Sequence, residues 1–141
     1  MAGYSGTPLP QKLGLKMGMR VIVLGTPKNY EALLGKLPDD VEFSNRVRDD
    51  SKFIHFFVTR RSDLQKQLPR LRHALADDGT LWVSWPKKTA RVPTDVTEDV
   101  IRAVALPLGL VDTKVCAIDD TWSGLKLMIR RENRERKNLA T

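Results

Sequence analysis

Leu71–Lys88 reads LRHALADDGTLWVSWPKK. Leucines at Leu71 and Leu75 close a helical stripe, Asp78-Gly79 predicts a turn, and Thr80–Trp85 is an apolar run that stops at Pro86 before two lysines. A helix that feeds a buried strand through a tight glycine turn is half of a βαβ unit. The lysines then stand where sheets of that kind bind ligands, at the carboxyl end of a strand.

The same alternation extends in both directions. Upstream, Ser62 with Gln65 three residues later forms a capping-box pattern, and Leu64, Leu68, Leu71 and Leu75 share one helical face. Pro69 lies inside that stripe and predicts a kink or two abutting helical segments. Phe53–Thr59, FIHFFVT, and Arg20–Gly25, RVIVLG, read as strands buried on both faces. After the first of these in the chain, Thr26 is a candidate N-cap with Pro27 at the first helical position. A short helix carrying Tyr30, Leu33 and Leu34 should follow and stop at Gly35. Val41, Phe43 and Asn45 suggest a short, weaker strand before the charged loop Arg46–Lys52. The opening Leu9, Leu13 and Leu15, broken by Pro8, Pro10 and Gly14, reads as a docking arm with one helical turn.

Downstream, Asp95 with Glu98 is expected to cap a helix whose Val96, Val100, Val104 and Leu108 share a face and which ends near Pro107–Gly109. Val111–Ile118 and Leu125–Ile129 are two strands joined too closely for anything but an antiparallel hairpin. The order β, α, β, β, α, β, α, β, β specifies an α/β fold: three layers, Rossmann-like, with a mostly parallel sheet and a C-terminal antiparallel hairpin. Residues 1–129 are expected to form one domain and 130–141 a basic, disordered tail.

Composition fits that reading. At 141 residues, 29% charged and 41% apolar, the chain can bury a core without disulfides or metals. One cysteine, Cys116, suits a reducing compartment. With no apolar secretion signal at the start and no run near ~18 apolar residues, a soluble cytoplasmic protein is expected. Of the net charge of +7, the tail 130–141 supplies +3, leaving +4 for the body.

The pattern resembles the class I methyltransferase-like variant of the Rossmann fold. The features that carry the resemblance are the helix, Leu75-x-x-x-Gly79-x-Leu81 entering an apolar strand, and an antiparallel last strand. More narrowly, the chain resembles a bacterial family known only as a domain of unknown function. The matching pieces are Leu13-Gly14-Leu15 with Gly18-Met19, Leu75–Val83 with Pro86-Lys87, and Trp122-Ser123-Gly124 with Leu127. The broad resemblance implies S-adenosylmethionine held by a glycine-rich loop after the first strand and by an acid ending the second. This chain has Gly25-Thr26-Pro27-Lys28 in the first place and Ser44-Asn45 in the second, with no carboxylate before Asp49-Asp50. Both departures weigh against that cofactor, and no bound cofactor is expected.

The strand-end edge should gather Lys28, Arg60, Arg61, Lys87 and Lys88, with Trp122 in the hairpin turn and three helix N-termini whose free N–H groups favour anions. Those six residues are the candidate ligand site. They suit a phosphate, a nucleotide or a nucleic-acid backbone with a stacked base. The competing account makes them solvated loop residues neutralised by Asp95, Glu98, Asp119 and Asp120, with Trp85 and Trp122 as lids on the core. His55 reads as a core or interface histidine, His73 as exposed, and Cys116 as an inert small hydrophobe.

No nucleophile elbow, phosphate-binding loop or metal-ligand spacing occurs, so no catalytic residue and no metal site are expected. The leading expectation is a non-catalytic methyltransferase-like module for an anionic partner. Two alternatives stand beside it. One is an enzyme using a nucleotide or S-adenosylmethionine at the same edge, with Asp119 or Asp120 as base. The other is a homo-oligomeric or scaffold protein with His55 and the hairpin at its interface.

Overall fold

The computed structural model describes residues 7–134. The strands are β1 (Arg20–Leu24), β2 (Glu42–Ser44), β3 (Ser51–Phe57), β4 (Leu75–Pro86), β5 (Leu110–Ala117) and β6 (Trp122–Ile129). The helices are α1 (Leu9–Leu13), α2 (Tyr30–Leu34), α3 (Arg61–Ala74) and α4 (Glu98–Ala105). One six-stranded sheet runs β2-β1-β3-β4-β6-β5, parallel from β2 to β4 and antiparallel at β6 and β5. The expected α/β fold and its element order are what the structure shows.

Strand alternation divides the core between the two sheet faces. Ile22, Ile54, Phe56, Leu81, Val83 and Leu127 pack under α3 and α4. Val21, Val23, Phe53, Phe57 and Trp82 pack under α1 and α2 on the other face. Trp82 is fully buried, and its indole N–H donates to the Leu13 carbonyl at 3.0 Å, which pins α1 to the sheet. Gly124 leaves the room this indole needs: a Cβ there would stand 3.1 Å from Trp82 Cε3.

Several local expectations are corrected. Asp78-Gly79 is a bulge inside β4, not a turn: Leu75 pairs with Ser51 and Thr80 with Phe53, so Ala76–Gly79 loops out between them. A Cβ on Gly79 would lie 2.8 Å from the Ser51 carbonyl oxygen, so only glycine fits the return. α3 is continuous through Pro69. Its cap is not the Ser62/Gln65 box but Asp95, whose carboxylate accepts the Arg61 N–H at 2.6 Å. α4 in turn is capped by Thr97, which accepts the Val100 N–H at 3.2 Å. α2 starts after Asn29, not at Thr26 and Pro27.

Beyond Ile129, Arg131–Asn133 form one 3₁₀ turn, and the Arg134 guanidinium donates to the Ile129 carbonyl at 2.8 Å. The rest of the expected basic tail, 135–141, lies outside the described residues. Among the described residues, no helix is long and apolar enough to cross a membrane.

Candidate functional site

Parallel pairing of β1 with both β2 and β3 brings the loops after these strands to one edge. Between the ends of β1 and β2 lies a cleft of about 510 Å³, inside the range of small-molecule sites. Val23, Tyr30 and Phe43 give it an apolar floor, and Lys28, Asn45 and Arg46 a polar wall. Thr26–Lys28 of the first departure noted in the sequence and Ser44-Asn45 of the second therefore line one cavity. The Ser44 hydroxyl accepts the Arg46 N–H at 3.1 Å, turning the chain as it leaves β2. Among the described residues, Glu31 supplies the one carboxylate in this wall, from α2 rather than from a strand end. Among the described residues, no carboxylate pairs with Lys28 or Arg46.

The floor is held from beneath by a buried polar chain. Tyr30 Oη lies 2.9 Å from His55 Nδ1, and His55 Nε2 lies 2.7 Å from Ser84 Oγ. His55 is fully buried and stacks on Phe57 at 4.2 Å, and burial pushes its pKa down to about 3. The imidazole is neutral, with one nitrogen donating and the other accepting. Burial also raises the Tyr30 phenol well above its ordinary value. With no exposed surface, His55 serves the core and presents nothing to a second copy. The expectation that it helps form an interface is corrected accordingly.

A second cleft, of about 410 Å³, opens between the ends of β1 and β3. Gly25, Thr59, Asp63, Arg70 and Trp122 line it. Gly25 has φ +66°, and a Cβ there would stand 2.2 Å from the Phe57 carbonyl oxygen. The loop between the two clefts can thus approach β3 only through glycine. Trp122 is half-buried and packs edge-on against Phe57 at 5.0 Å, so it closes the sheet end and borders this cleft at once. Trp85, 9% exposed, belongs to the core.

The remaining cations stand farther along the same edge. Arg60 and Lys87 each follow three residues after the paired Phe57 and Ser84. The Lys87 N–H donates to the Thr121 carbonyl at 2.8 Å, tying the end of β4 to the hairpin. Arg60, Arg61 and Lys88 are exposed and Lys87 half-exposed; none of the four lines either cleft. Three of the four acids expected to neutralise them have other hydrogen-bond partners. Asp95 caps α3, Glu98 bonds the Arg102 guanidinium, and Asp119 accepts the Thr121 and Trp122 N–H groups at 2.9 and 2.7 Å. Among the described residues, no carboxylate pairs with the side chain of Arg60, Arg61, Lys87 or Lys88.

Those engagements also correct two further expectations. Asp119 is committed to its turn and is poorly placed to act as a base. The helix N-termini add no anion site: Asp95 fills that of α3, the first turn of α4 carries Glu98 and Asp99, and α2 is a single turn. Positive charge at this edge comes from side chains. His73 is exposed. Cys116 is half-buried, and burial raises its thiol pKa against the opposing pull of Lys12 and Lys114. Among the described residues, no three His, Cys, Asp or Glu side chains gather as metal ligands would.

Of the six residues expected at one site, Lys28 lines the first cleft, Trp122 the second, and Arg60, Arg61, Lys87 and Lys88 neither; Tyr30 and Arg46 were not among the six. Arg46 carried only a weak signal, since it stands two residues after a strand three residues long. Tyr30 carried none, because its role depends on His55 and Ser84 from distant strands.

Residues 39–131 match the family described as "Protein of unknown function (DUF3052)". A comparison with curated proteins finds no match. Among solved structures, the fold is similar to a SAM dependent methyltransferase from Aquifex aeolicus, with TM-score 0.61 and 19% identity over 86% of this chain and 87% of that one. It is also similar to a putative type 11 methyltransferase from Sulfolobus solfataricus, with TM-score 0.53 and 16% identity over 86% and 89% of the two chains. A third is a ribosomal protein L11 methylase from Lactobacillus delbrueckii subsp. bulgaricus, with TM-score 0.56 and 12% identity over 86% and 75%. At these identities the likeness concerns fold alone. The residues at the first cleft lack both groups that the methyltransferase resemblance calls for, a glycine-rich loop and a carboxylate ending β2.

Proposed function

This chain belongs to the DUF3052 family, and we propose that it is a non-catalytic, methyltransferase-like module that binds a phosphate-bearing nucleotide at the strand-end edge. One observation carries the reading: Lys28 and Arg46, neither ion-paired among the described residues, line a cleft whose floor is Val23, Tyr30 and Phe43. An apolar, partly aromatic floor suits a base or sugar, and two free cations suit phosphate oxygens. Arg60, Arg61, Lys87 and Lys88 extend positive charge beyond the cleft, which would guide an anionic ligand toward it. The same rim could follow a nucleic-acid backbone, and binding would then weaken steeply with salt.

A thermal-shift series with AMP, ADP, ATP and S-adenosylmethionine tests this. A phosphorylated nucleotide at 100 times its dissociation constant should add about 2.7 kcal/mol of stability. Lys28→Glu should abolish that gain. A chain that none of the three nucleotides stabilises would refute the reading.

A second reading, an S-adenosylmethionine enzyme, draws on Glu31. Its carboxylate lines the cleft and could accept hydrogen bonds from ribose hydroxyls in place of an acid at the β2 end. Stabilisation by S-adenosylmethionine and not by nucleotides, lost in Glu31→Gln, would favour it.

A further inference from the structure

The identity of the residues at the end of β2 narrows the ligand class, given the nucleotide reading above. In dinucleotide-binding sheets a carboxylate at this position takes the ribose hydroxyls, whereas a nearby arginine accommodates a phosphate carried on the ribose. Here β2 ends in Ser44 and is followed by Asn45 and Arg46, and all three line the cleft. Lys28 reaches the same cavity from the loop after β1. A free ribose diol would find an amide, a hydroxyl and two cations at this corner, with Glu31 as the only carboxylate acceptor in the wall among the described residues. A ribose phosphate would find a guanidinium able to bind it with two parallel N–H donors, and an ammonium as a second charge.

We propose that the cleft between β1 and β2 selects a nucleotide phosphorylated on its ribose ring, at the 2′ or 3′ position, with Arg46 as the residue that sets the selectivity. The floor of Val23, Tyr30 and Phe43 takes the apolar part of the nucleoside, and the polar wall takes the ribose phosphate. Arg46 is exposed, so its replacement leaves the core intact.

The test is calorimetric titration of the full chain with four probes: adenosine 2′,5′-bisphosphate, adenosine 3′,5′-bisphosphate, ADP and AMP. ADP carries as many phosphates as either bisphosphate but none on the ribose 2′ or 3′ position, so it separates position from charge. At least one ribose bisphosphate should bind tenfold or more tightly than ADP. Arg46→Ala should bring that ratio to within about threefold, and Arg46→Lys should leave an intermediate ratio, because it restores charge without the planar fork. Unliganded melting temperatures of both variants check the fold. If ADP binds as tightly as both bisphosphates, or if Arg46→Ala weakens all probes by one factor, the selectivity is refuted while the nucleotide reading stands. If no probe binds, both fall together.

Discussion

Tyr30 Oη lies 2.9 Å from His55 Nδ1, across an edge-to-face ring contact at 5.4 Å. This pair joins α2, a single turn with little stability of its own, to the centre of the sheet. Because Tyr30 is also in the cleft floor, the position of that floor depends on a hydrogen bond made in the core. The third member, Ser84, completes the chain from β4, and among the described residues no buried side-chain polar atom is left without a partner.

His55→Phe keeps a ring in that space and removes both hydrogen bonds. The hydroxyls of Tyr30 and Ser84 are then buried without partners, each at a cost of about 1–3 kcal/mol. Urea denaturation should show a loss of about 2–6 kcal/mol. Near-native stability for this variant would mean that water or a shifted hydroxyl replaces the imidazole.

The same residue sets a pH dependence. Burial holds the folded-state pKa of His55 at about 3, below its ordinary value of 6.5. The unfolded chain therefore binds a proton that the folded chain refuses. The contribution is fully present above pH 6.5 and is lost as pH falls from there toward 3. Well inside that window the slope should approach about 1.4 kcal/mol per pH unit. Urea midpoints at pH 7.5, 6 and 5 should fall accordingly for the native chain and stay flatter for His55→Gln.

Asp95 is the N-terminal cap of α3, so Asp95→Ala should destabilise the protein by about 1 kcal/mol. Its removal also exposes the Arg61 N–H and takes one negative charge from beside Arg60 and Arg61. Retention on heparin should rise in the variant while the thermal midpoint falls. Unchanged stability would mean that solvent caps the helix equally well.

The basic rim is tested by Arg60→Glu with Lys87→Glu. Both side chains stand at the sheet edge without carboxylate partners among the described residues, so their charge is available to a polyanion. The double variant should leave a heparin column at markedly lower salt, since fewer contacts release fewer counterions. If neither heparin retention nor any nucleotide-induced thermal shift changes, the rim takes no part in binding.

How far these features can be read from the sequence depends on how local their causes are. RVIVLG and FIHFFVT announce β1 and β3, because a β-branched and aromatic run reports burial on two faces wherever the partners lie. Caps are less legible. Asp95 looks like the start of its own helix but bonds Arg61, 34 residues away, so proximity in the chain misassigns it. Asp78-Gly79 looks like a turn, yet the pairing of Leu75 with Ser51 makes it a bulge. The first cleft needs the ends of β1 and β2 side by side, a neighbourhood created by the crossover through α2 and visible in neither segment alone. Lys28 stands out because it follows a clear strand; Arg46 does not, because β2 is only three residues long.

Gly25 gives the sharpest test of how the loop beside the clefts is built. Two independent effects oppose a side chain there: φ is +66°, and a Cβ would sit 2.2 Å from the Phe57 carbonyl oxygen, which is backbone and cannot swing aside. The first effect alone costs about 1–2 kcal/mol. Gly14 separates the two, because it has φ +89° and a Cβ there would meet nothing within 4 Å. Gly14→Ala should therefore lose about 1–2 kcal/mol, measured by urea denaturation, and Gly25→Ala clearly more. The excess measures the clash, and since β1 must move from β3 to relieve it, ligand-induced thermal shifts should shrink in Gly25→Ala but not in Gly14→Ala. Equal losses in the two variants would mean that the β1 end yields easily and that Gly25 does not hold the loop against β3.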